Sequence, residues 1–381
     1  MIPLFIQKAA ACSPLGANLD EIWSRILSGE TSWGTTRLSG NRNYFTAETI
    51  ADSTSDIRTY ATLFYDAIRN LVTDLDISEP VDAIYFGTAV GNLAYLENKI
   101  YSGSNVKAEE VDFSHLREIF EQTMAFGPDT RFVCVPTGCC AGLQAIGLAK
   151  STMRKLGLRT AIIMSLDFGL TPLALEAFNK INATSMYDPA TNGSPSRPFC
   201  KGRKGFLFAD GGGAILVSAE EPSGSTVQVS GYGCVSSAFH MTDIKTDGHS
   251  IRQSIECALA EAQIDGSMID HINLHASGTE QNDAAEYNAL IDIIGHDLPV
   301  ITAFKGNHGH ALGGANLIEV ALVWKIMMER RIPPTPHHLP VDAFKEVHPR
   351  SEITDFTGRR VLKTASGFSG IHASVIMEQC G

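Results

Sequence analysis

The sequence predicts an α/β protein made of two similar halves, and three observations carry the prediction. Short apolar runs of strand type alternate with stretches whose apolar residues recur at helical spacing. A strand–glycine turn–strand pattern occurs twice, at residues 205–218 (GFLFADGGGAILVS) and 362–375 (LKTASGFSGIHASV), with Gly211 and Ala214 matching Gly370 and Ala373. A helix of small and aliphatic residues with a reactive side chain at its tip also occurs twice, after Cys139 and after His310. Alternating strands and helices imply mostly buried sheets covered by helices. The repeat divides the chain at residues 1–222 and 223–381, and packing the halves face to face would bring both tips together.

In the first half, residues 3–11 read as a strand and Ser13-Pro14-Leu15-Gly16 as a turn. Asn18 caps a helix with Ile22, Trp23, Ile26 and Leu27 on its apolar face. A second helix covers residues 58–74, and VDAIYFG (81–87) is a buried strand. Residues 93–130 are polar and mixed, helical in pieces. The strand run 132–135 meets a turn at Pro136-Thr137-Gly138, and the helix that follows carries Leu143, Ile146 and Ala149 on one stripe. Residues 160–166 form another buried strand, 171–178 start a helix, and 179–198 are a long loop rich in Asn, Ser and Pro.

In the second half, residues 227–232 are a strand and 248–263 an amphipathic helix carrying Ile251, Ile255, Ala258, Leu259 and Ala262. A strand at 269–274 ends at His275. A strand at 300–304 runs into Lys305-Gly306-Asn307-His308-Gly309-His310, and a small-residue helix spans 311–330.

Composition narrows the function. A chain of 381 residues, 44% hydrophobic and 19% charged, suits a folded enzyme of one large domain or two fused halves. A net charge of −12 argues against nucleic acid as the main partner. The eight cysteines have no CxxC spacing and no signal peptide precedes them, which implies free thiols in a reducing, cytoplasmic setting. No apolar run reaches the ~18–20 residues of a membrane span.

Cys139 sits where a strand gives way to a helix. A thiol in a first helical turn feels the positive end of the dipole, which lowers its pKa from ~8.5 toward neutrality and makes a nucleophile. The alternative is a packing cysteine. Cys139, His275 and His310 all fall at the C-terminal ends of strands, where open α/β sheets place their sites. A cysteine with two histidines can act as a nucleophile beside two imidazole N–H donors that converge on one oxygen. His308 and His310, with His337 and His338 downstream, leave a metal reading conceivable, but no carboxylate or cysteine stands at ligand spacing, so no metal is expected. The glycine runs 211–213 and 313–314 match neither nucleotide-binding pattern.

These residues resemble the β-ketoacyl synthases of the thiolase superfamily, the decarboxylating condensing enzymes of type II fatty-acid and polyketide systems. Thr137-Gly138-Cys139-Cys140-Ala141-Gly142 is similar to the T-A-C-S-S-G nucleophile motif, and His275-Ala276-Ser277-Gly278-Thr279 to H-G-T-G-T, with Asp283 and Glu286 as the acidic pair. Lys305 to His310 resembles K-S-N-I-G-H. Ser196-Arg197-Pro198-Phe199 with Arg203, Gly205-Phe206 and Asp210-Gly211 resembles S-R-P-F-D…R-x-G-F…G-E-G, and Gly367-Phe368-Ser369-Gly370 resembles G-F-G-G.

The resemblance implies a thiolase-like fold: two βαβαβαββ halves in five layers, α-β-α-β-α. It implies that Cys139 carries an acyl chain as a thioester, with the Cys139 and Phe368 N–H groups as its oxyanion hole. His275 and His310 would bind a malonyl thioester carbonyl and stabilise the enolate left by loss of carbon dioxide. Lys305 would pair with Glu286, Ser277 and Thr279 would contact the pantetheine arm, and Phe368 would gate between acyl and malonyl pockets. The implied partner is an acyl carrier protein, with no cofactor beyond the phosphopantetheine that bears the substrates, in a homodimer or a heterodimer with a chain-length partner. Because a carrier protein is acidic, Lys201, Arg203 and Lys204, and separately Arg58, are candidate docking residues. Cys140 and Ala141, Ala276, Ser277 and Glu280, Cys200, and Ile371-His372 depart from the motifs, and residues 93–130 look shortened; that set points to a specialised polyene or other polyketide pathway. Two alternatives stay open: a non-condensing chain-length subunit, and a thiolase-type enzyme using coenzyme A.

Overall fold

The computed structural model describes residues 3–37, 42–49, 57–111, 113–336, 342–347 and 349–381. The first strand, β1 (Leu4–Cys12), leads into α1 (Leu19–Leu27), which Asn18 caps by accepting the Glu21 N–H at 3.0 Å. A hairpin of β2 (Gly34–Arg37) and β3 (Asn43–Ala47) precedes α2 (Ile57–Asp74) and β4 (Ala83–Thr88). The helical pieces α3 (Leu93–Tyr101), α4 (Ala108–Val111) and α5 (Leu116–Glu121) follow. Next come β5 (Arg131–Pro136), α6 (Ala141–Leu156), β6 (Thr160–Asp167), α7 (Pro172–Lys180), β7 (Phe208–Ala209) and β8 (Gly211–Ser218). The second half contains β9 (Thr226–Ser236), α8 (His249–Ala262), β10 (His271–Asn273), α9 (Glu280–Ile294) and β11 (Val300–Thr302). It continues through α10 (Lys305–His308), α11 (Ala315–Glu329), β12 (Arg331–Ile332) and β13 (Thr354–Asp355) to β14 (Arg360–Gly367) and β15 (Ile371–Cys380).

Ten strands join in the order β11-β10-β14-β15-β9-β1-β8-β6-β4-β5. The repeat is explicit in that order. Outward from the centre, each half runs first, fifth, fourth, second, third strand: β1, β8, β6, β4, β5 on one side and β9, β15, β14, β10, β11 on the other. The halves meet where β1 and β9 pair antiparallel. Between the two groups of strands lie α6, against β4, β5, β6, β9 and β15, and α11, against β1, β6, β8, β9 and β14. On the outer face of the first half α2 packs with α3 and α5; on that of the second half α8 packs with α9. The result is the five-layered, thiolase-like arrangement.

The middle layer explains itself chemically. In α11 Leu317, Ile318, Val320, Ala321, Leu322 and Val323 are all fully buried, and a helix apolar all round belongs inside a protein. Close approach needs glycine: a Cβ on Gly142 would stand 2.5 Å from the Leu317 side chain, and one on Gly213 2.6 Å from the Leu317 backbone. So β8 can touch the α11 backbone, and α6 can press directly on α11 side chains.

The sequence reading did not place helix α9, the β2–β3 hairpin or the short β12–β13 pair. Helix α9 buries Asn282, Asp283 and Glu286 beside Ala285, Ala289 and Leu290, so its buried face shows no apolar stripe. The β2–β3 hairpin pairs with β7 in a small sheet, and Phe208 of that sheet bridges to His310. Among the described residues no helix is long and apolar enough to cross a membrane.

Candidate active site

Cys139 lies in a single 3₁₀ turn, Gly138–Cys140, between β5 and α6. One side chain from the second half fixes that turn. The Asn316 side-chain amide donates to the Cys139 carbonyl at 3.0 Å and accepts the Leu143 N–H at 3.2 Å. Behind it, the buried Asp167 carboxylate at the end of β6 accepts from Thr88 Oγ1 (2.6 Å), the Ala89 and Val90 N–H groups (both 2.9 Å) and the Gly314 N–H (3.1 Å). That ties β4 and β6 to the start of α11.

The expectation of an acidified thiol does not hold. Burial pushes the Cys139 thiol up to about 12, and Asp167 adds to the rise. Lys305 and the backbone N–H groups of Phe368 and Cys139 act the other way without reversing it. Removing water from a thiolate costs more than one helix end returns. Those two N–H groups do converge on the sulfur.

The loop after β10 delivers His275. Glu286 on α9 holds it, accepting the His275 N–H at 2.9 Å, the Ala276 N–H at 2.7 Å, Asn282 Nδ2 at 3.0 Å and Thr364 Oγ1 at 2.7 Å. Ala276 has φ +46°, a left-handed conformation that this anchorage sustains. The His310 N–H donates to the Leu207 carbonyl at 2.7 Å. The two imidazoles cross edge to face at 85°, centroids 5.1 Å apart, and Phe206 packs on His310 at 5.0 Å. Burial first, then Lys305, His310, Lys363 and His372, hold His275 well below the ordinary histidine pKa; burial, Lys305, His308 and Lys363 do the same for His310. Both rings are therefore neutral at pH 7, each with one N–H to donate.

The expected Lys305–Glu286 pair is replaced. Lys305 Nζ lies 2.7 Å from Glu319 on α11, and Lys363 Nζ lies 2.6 Å from the same carboxylate. Glu286 is occupied by the four donors just described, and α11 runs beside α10, which brings Glu319 within reach.

Asp283 accepts the Phe199 and Gly278 N–H groups at 2.8 and 3.2 Å and pairs with Arg203 at 3.1 Å. Arg203 is thus committed to an inward ion pair, its guanidinium over the Phe344 ring at 5.1 Å, and is not part of a free basic cluster. Lys201 and Lys204 are exposed. Arg58 lies in the first turn of α2, and its side chain falls outside the described residues, as do His337 and His338. His308 is fully buried, its Nε2 3.9 Å from Glu319. Among the described residues no three His, Cys, Asp or Glu side chains are grouped as metal ligands.

Cys139, His275 and His310 line one cavity of about 40 Å³, with Ser277, Thr279 and Phe368 in its wall. Phe368, half-buried and stacked on Phe178 at 6.1 Å, also lines a second, outer cavity of about 560 Å³ that includes Thr279, Gln281, Arg203 and Lys204. Thr279 and Ile244 border both, so the inner cavity lies behind Phe368 with the wider one outside. Cys380 closes β15 opposite Thr226, at the far end of that strand from Ile371. Sequence reasoning missed Asn316, Glu319, Lys363, Asp167 and Thr364. The one available signal was polarity inside apolar runs: Asn316 and Glu319 in ANLIEVALVWK, and Lys363 in RVLKTASG.

The profile of the β-ketoacyl synthase N-terminal domain matches residues 123–223, and that of the β-ketoacyl synthase C-terminal domain matches residues 226–338. A polyketide β-ketoacyl synthase 1 of Streptomyces halstedii is 30% identical over 338 residues, 82% of this chain and 79% of the relative. The fold is shared with a solved type II polyketide synthase assembly, a ketosynthase in complex with its acyl carrier protein (TM-score 0.85, 23% identity, 99% of each chain). It is also shared with the ishigamide ketosynthase/chain length factor (TM-score 0.80, 21% identity, 100% of each chain).

Proposed function

The chain belongs to the β-ketoacyl synthase family, and from that premise we propose that it condenses a malonyl thioester with an acyl chain held on Cys139, in a type II polyketide or related pathway. The reading rests on one observation above all: a cysteine and two neutral histidines, from both halves, line one small cavity.

In the first step the Cys139 thiol yields its proton and the sulfur attacks the acyl thioester carbonyl. A new S–C bond forms, the old one breaks, and the pantetheine thiol leaves with a proton. The Cys139 and Phe368 N–H groups hold the oxyanion. In the second step a malonyl thioester lies with its carbonyl oxygen toward His275 and His310. The bond to the carboxylate breaks, carbon dioxide leaves, and the electron pair becomes an enolate whose oxygen both rings stabilise. The enolate carbon attacks the acyl-Cys139 carbonyl; the C–C bond forms, the C–S bond breaks, and the departing thiolate takes a proton from solvent to restore the thiol. Glu286 positions His275, and Ser277 and Thr279 line the path of the pantetheine arm. The phosphopantetheine carries the substrate and needs no further cofactor in this scheme.

For the carrier protein we propose as the docking cations exposed Lys204, which lines the outer cavity, and exposed Lys201 three residues before it. For the second subunit we propose the edge of β5, which among the described residues pairs only with β4 and leaves Phe132, Val133 and Cys134 half-buried. Native mass spectrometry distinguishes a homodimer from a heterodimer with a chain-length partner. The retained Cys139, His275 and His310 favour a condensing subunit over a non-condensing one. A thiolase-type reaction lacks its second cysteine, since the hairpin carries Phe368 and Ser369 there.

Incubation with a panel of acyl-carrier thioesters, read by intact mass, tests the reading. The expected result is an acyl adduct on the wild-type protein and none on Cys139→Ala. An adduct that survives the substitution overturns it.

A further inference from the structure

Lys363 takes no part in that mechanism, yet it is fully buried in β14. Its ammonium group lies 2.6 Å from Glu319 and donates to the Thr364 carbonyl at 2.6 Å. Thr364 in turn accepts the His275 N–H at 3.0 Å through its hydroxyl. Lys305, also fully buried, reaches Glu319 from α10 at 2.7 Å. Two ammonium groups therefore share one carboxylate, in a region without water to screen them. Such an arrangement is costly unless something in the working cycle uses it.

Charged and titratable groups reach the neighbourhood of the two rings from five elements. His308 and Lys305 approach from α10, Glu319 from α11, Lys363 from β14 and His372 from β15. From α9, Glu286 is turned to the His275 and Ala276 N–H groups and Asp283 to Arg203. The Lys305–Glu319–Lys363 triad carries one net positive charge behind the histidines, separate from the Glu286 carboxylate, which offsets it in the site's total and is held by N–H and O–H donors.

We propose, on the basis of the condensation reading above, that Lys363 is a second positioning residue for the decarboxylation step. By sharing Glu319 with Lys305 it leaves a buried cation behind His275 and His310, which keeps both rings uncharged donors and favours the anionic oxygen that forms between them. Charge on the rings would work against the step: an imidazolium would pair with the malonyl carboxylate and hold the negative charge where it starts. Acylation of Cys139, which uses backbone N–H donors, does not draw on Lys363. Burial lowers the Lys363 pKa while Glu319 opposes the fall. Burial raises Glu319, but Lys305 and Lys363 outweigh it and keep the carboxylate charged.

The test compares wild type with Lys363→Met, of similar size and neutral, and Lys363→Arg, which restores the cation. Acylation of Cys139 is followed by intact mass, and carbon–carbon bond formation is followed across pH. We expect Lys363→Met to acylate within about twofold of wild type while condensation at neutral pH falls about tenfold or more. Removing a nearby cation makes an imidazole easier to protonate, so the acid limb of the condensation profile should move up by about one pH unit. Lys363→Arg should recover most of the rate and the position of that limb. An unchanged rate and limb in Lys363→Met, or an equal loss of acylation and condensation, overturns the proposal. Absence of any adduct on wild-type Cys139 overturns the condensation reading instead. Should Lys363→Met not fold, histidine-labelled wild-type protein and Lys363→Gln are titrated by NMR. Rings of His275 and His310 both neutral at about pH 5.5 in wild type and titrating about one unit higher in Lys363→Gln support the proposal; the same titration in both proteins overturns it.

Discussion

The Asn316 side chain donates to the Cys139 carbonyl at 3.0 Å. Asn316 stands in the first turn of α11, in the second half, and Cys139 at the tip of α6, in the first. The same amide accepts the Leu143 N–H, so one residue closes both ends of the nucleophile turn. The two inter-sheet helices thus hold the site together where their tips meet, and a Cβ on Gly142 would fall 2.7 Å from Asn316 Cβ.

Asn316→Ala leaves a buried carbonyl and a buried N–H without their partner. We expect a loss of about 1–3 kcal/mol in denaturant unfolding and a slower acylation of Cys139. Stability and acylation both at wild-type level would show that the turn holds its own shape.

The dry Cys139 thiol makes an unusual prediction for its reactivity. With its pKa at about 12, alkylation by iodoacetamide should rise about tenfold per pH unit through the neutral range, with no plateau. A plateau near neutrality would mean that the helix end and the two N–H groups outweigh burial.

The pairing of Lys305 can be measured directly. Double-mutant cycles with Lys305→Met should give a coupling of roughly 0.5–3 kcal/mol to Glu319→Gln and a much smaller one to Glu286→Gln. The reverse order would restore the partner expected from the sequence.

Buried histidines set the acid stability. His271, His308 and His372 are held at about 3, about 4 and about 4, each chiefly by burial, and His275 and His310 lie well below the ordinary value. The unfolded chain binds those protons first, from about pH 6.5 downward, so stability is lost as pH falls from there through the folded values. Thermal melts should be level above neutrality and drop steadily below about pH 6.5. A melting temperature constant from neutral to pH 5 would mean these rings are not held neutral.

Much of the fold was legible because its signals are local. Strand runs such as 81–87, the Asn18 cap and the stripe of Leu143, Ile146 and Ala149 each report on their own neighbours, and each lies in the expected element. The motif residues Cys139, His275 and His310 were legible for the same reason: each sits in a short stretch with its own pattern. Helix α9 was not, because its buried face is polar, and a carboxylate such as Glu286 looks like a solvent residue until its four donors are known.

What the sequence determined by itself, then, was the α/β plan with its internal repeat, and three side chains, Cys139, His275 and His310, that the fold brings to one cavity. Only the tertiary structure decided their surroundings: Glu319 and not Glu286 beside Lys305, a second lysine on the same carboxylate, Arg203 turned inward, and a thiol pKa raised where a helix end alone would lower it. The physical reason is that partner choice and desolvation depend on distance through space. Lys305, Glu319 and Lys363 come from three different elements, and no local pattern records that they meet with water excluded.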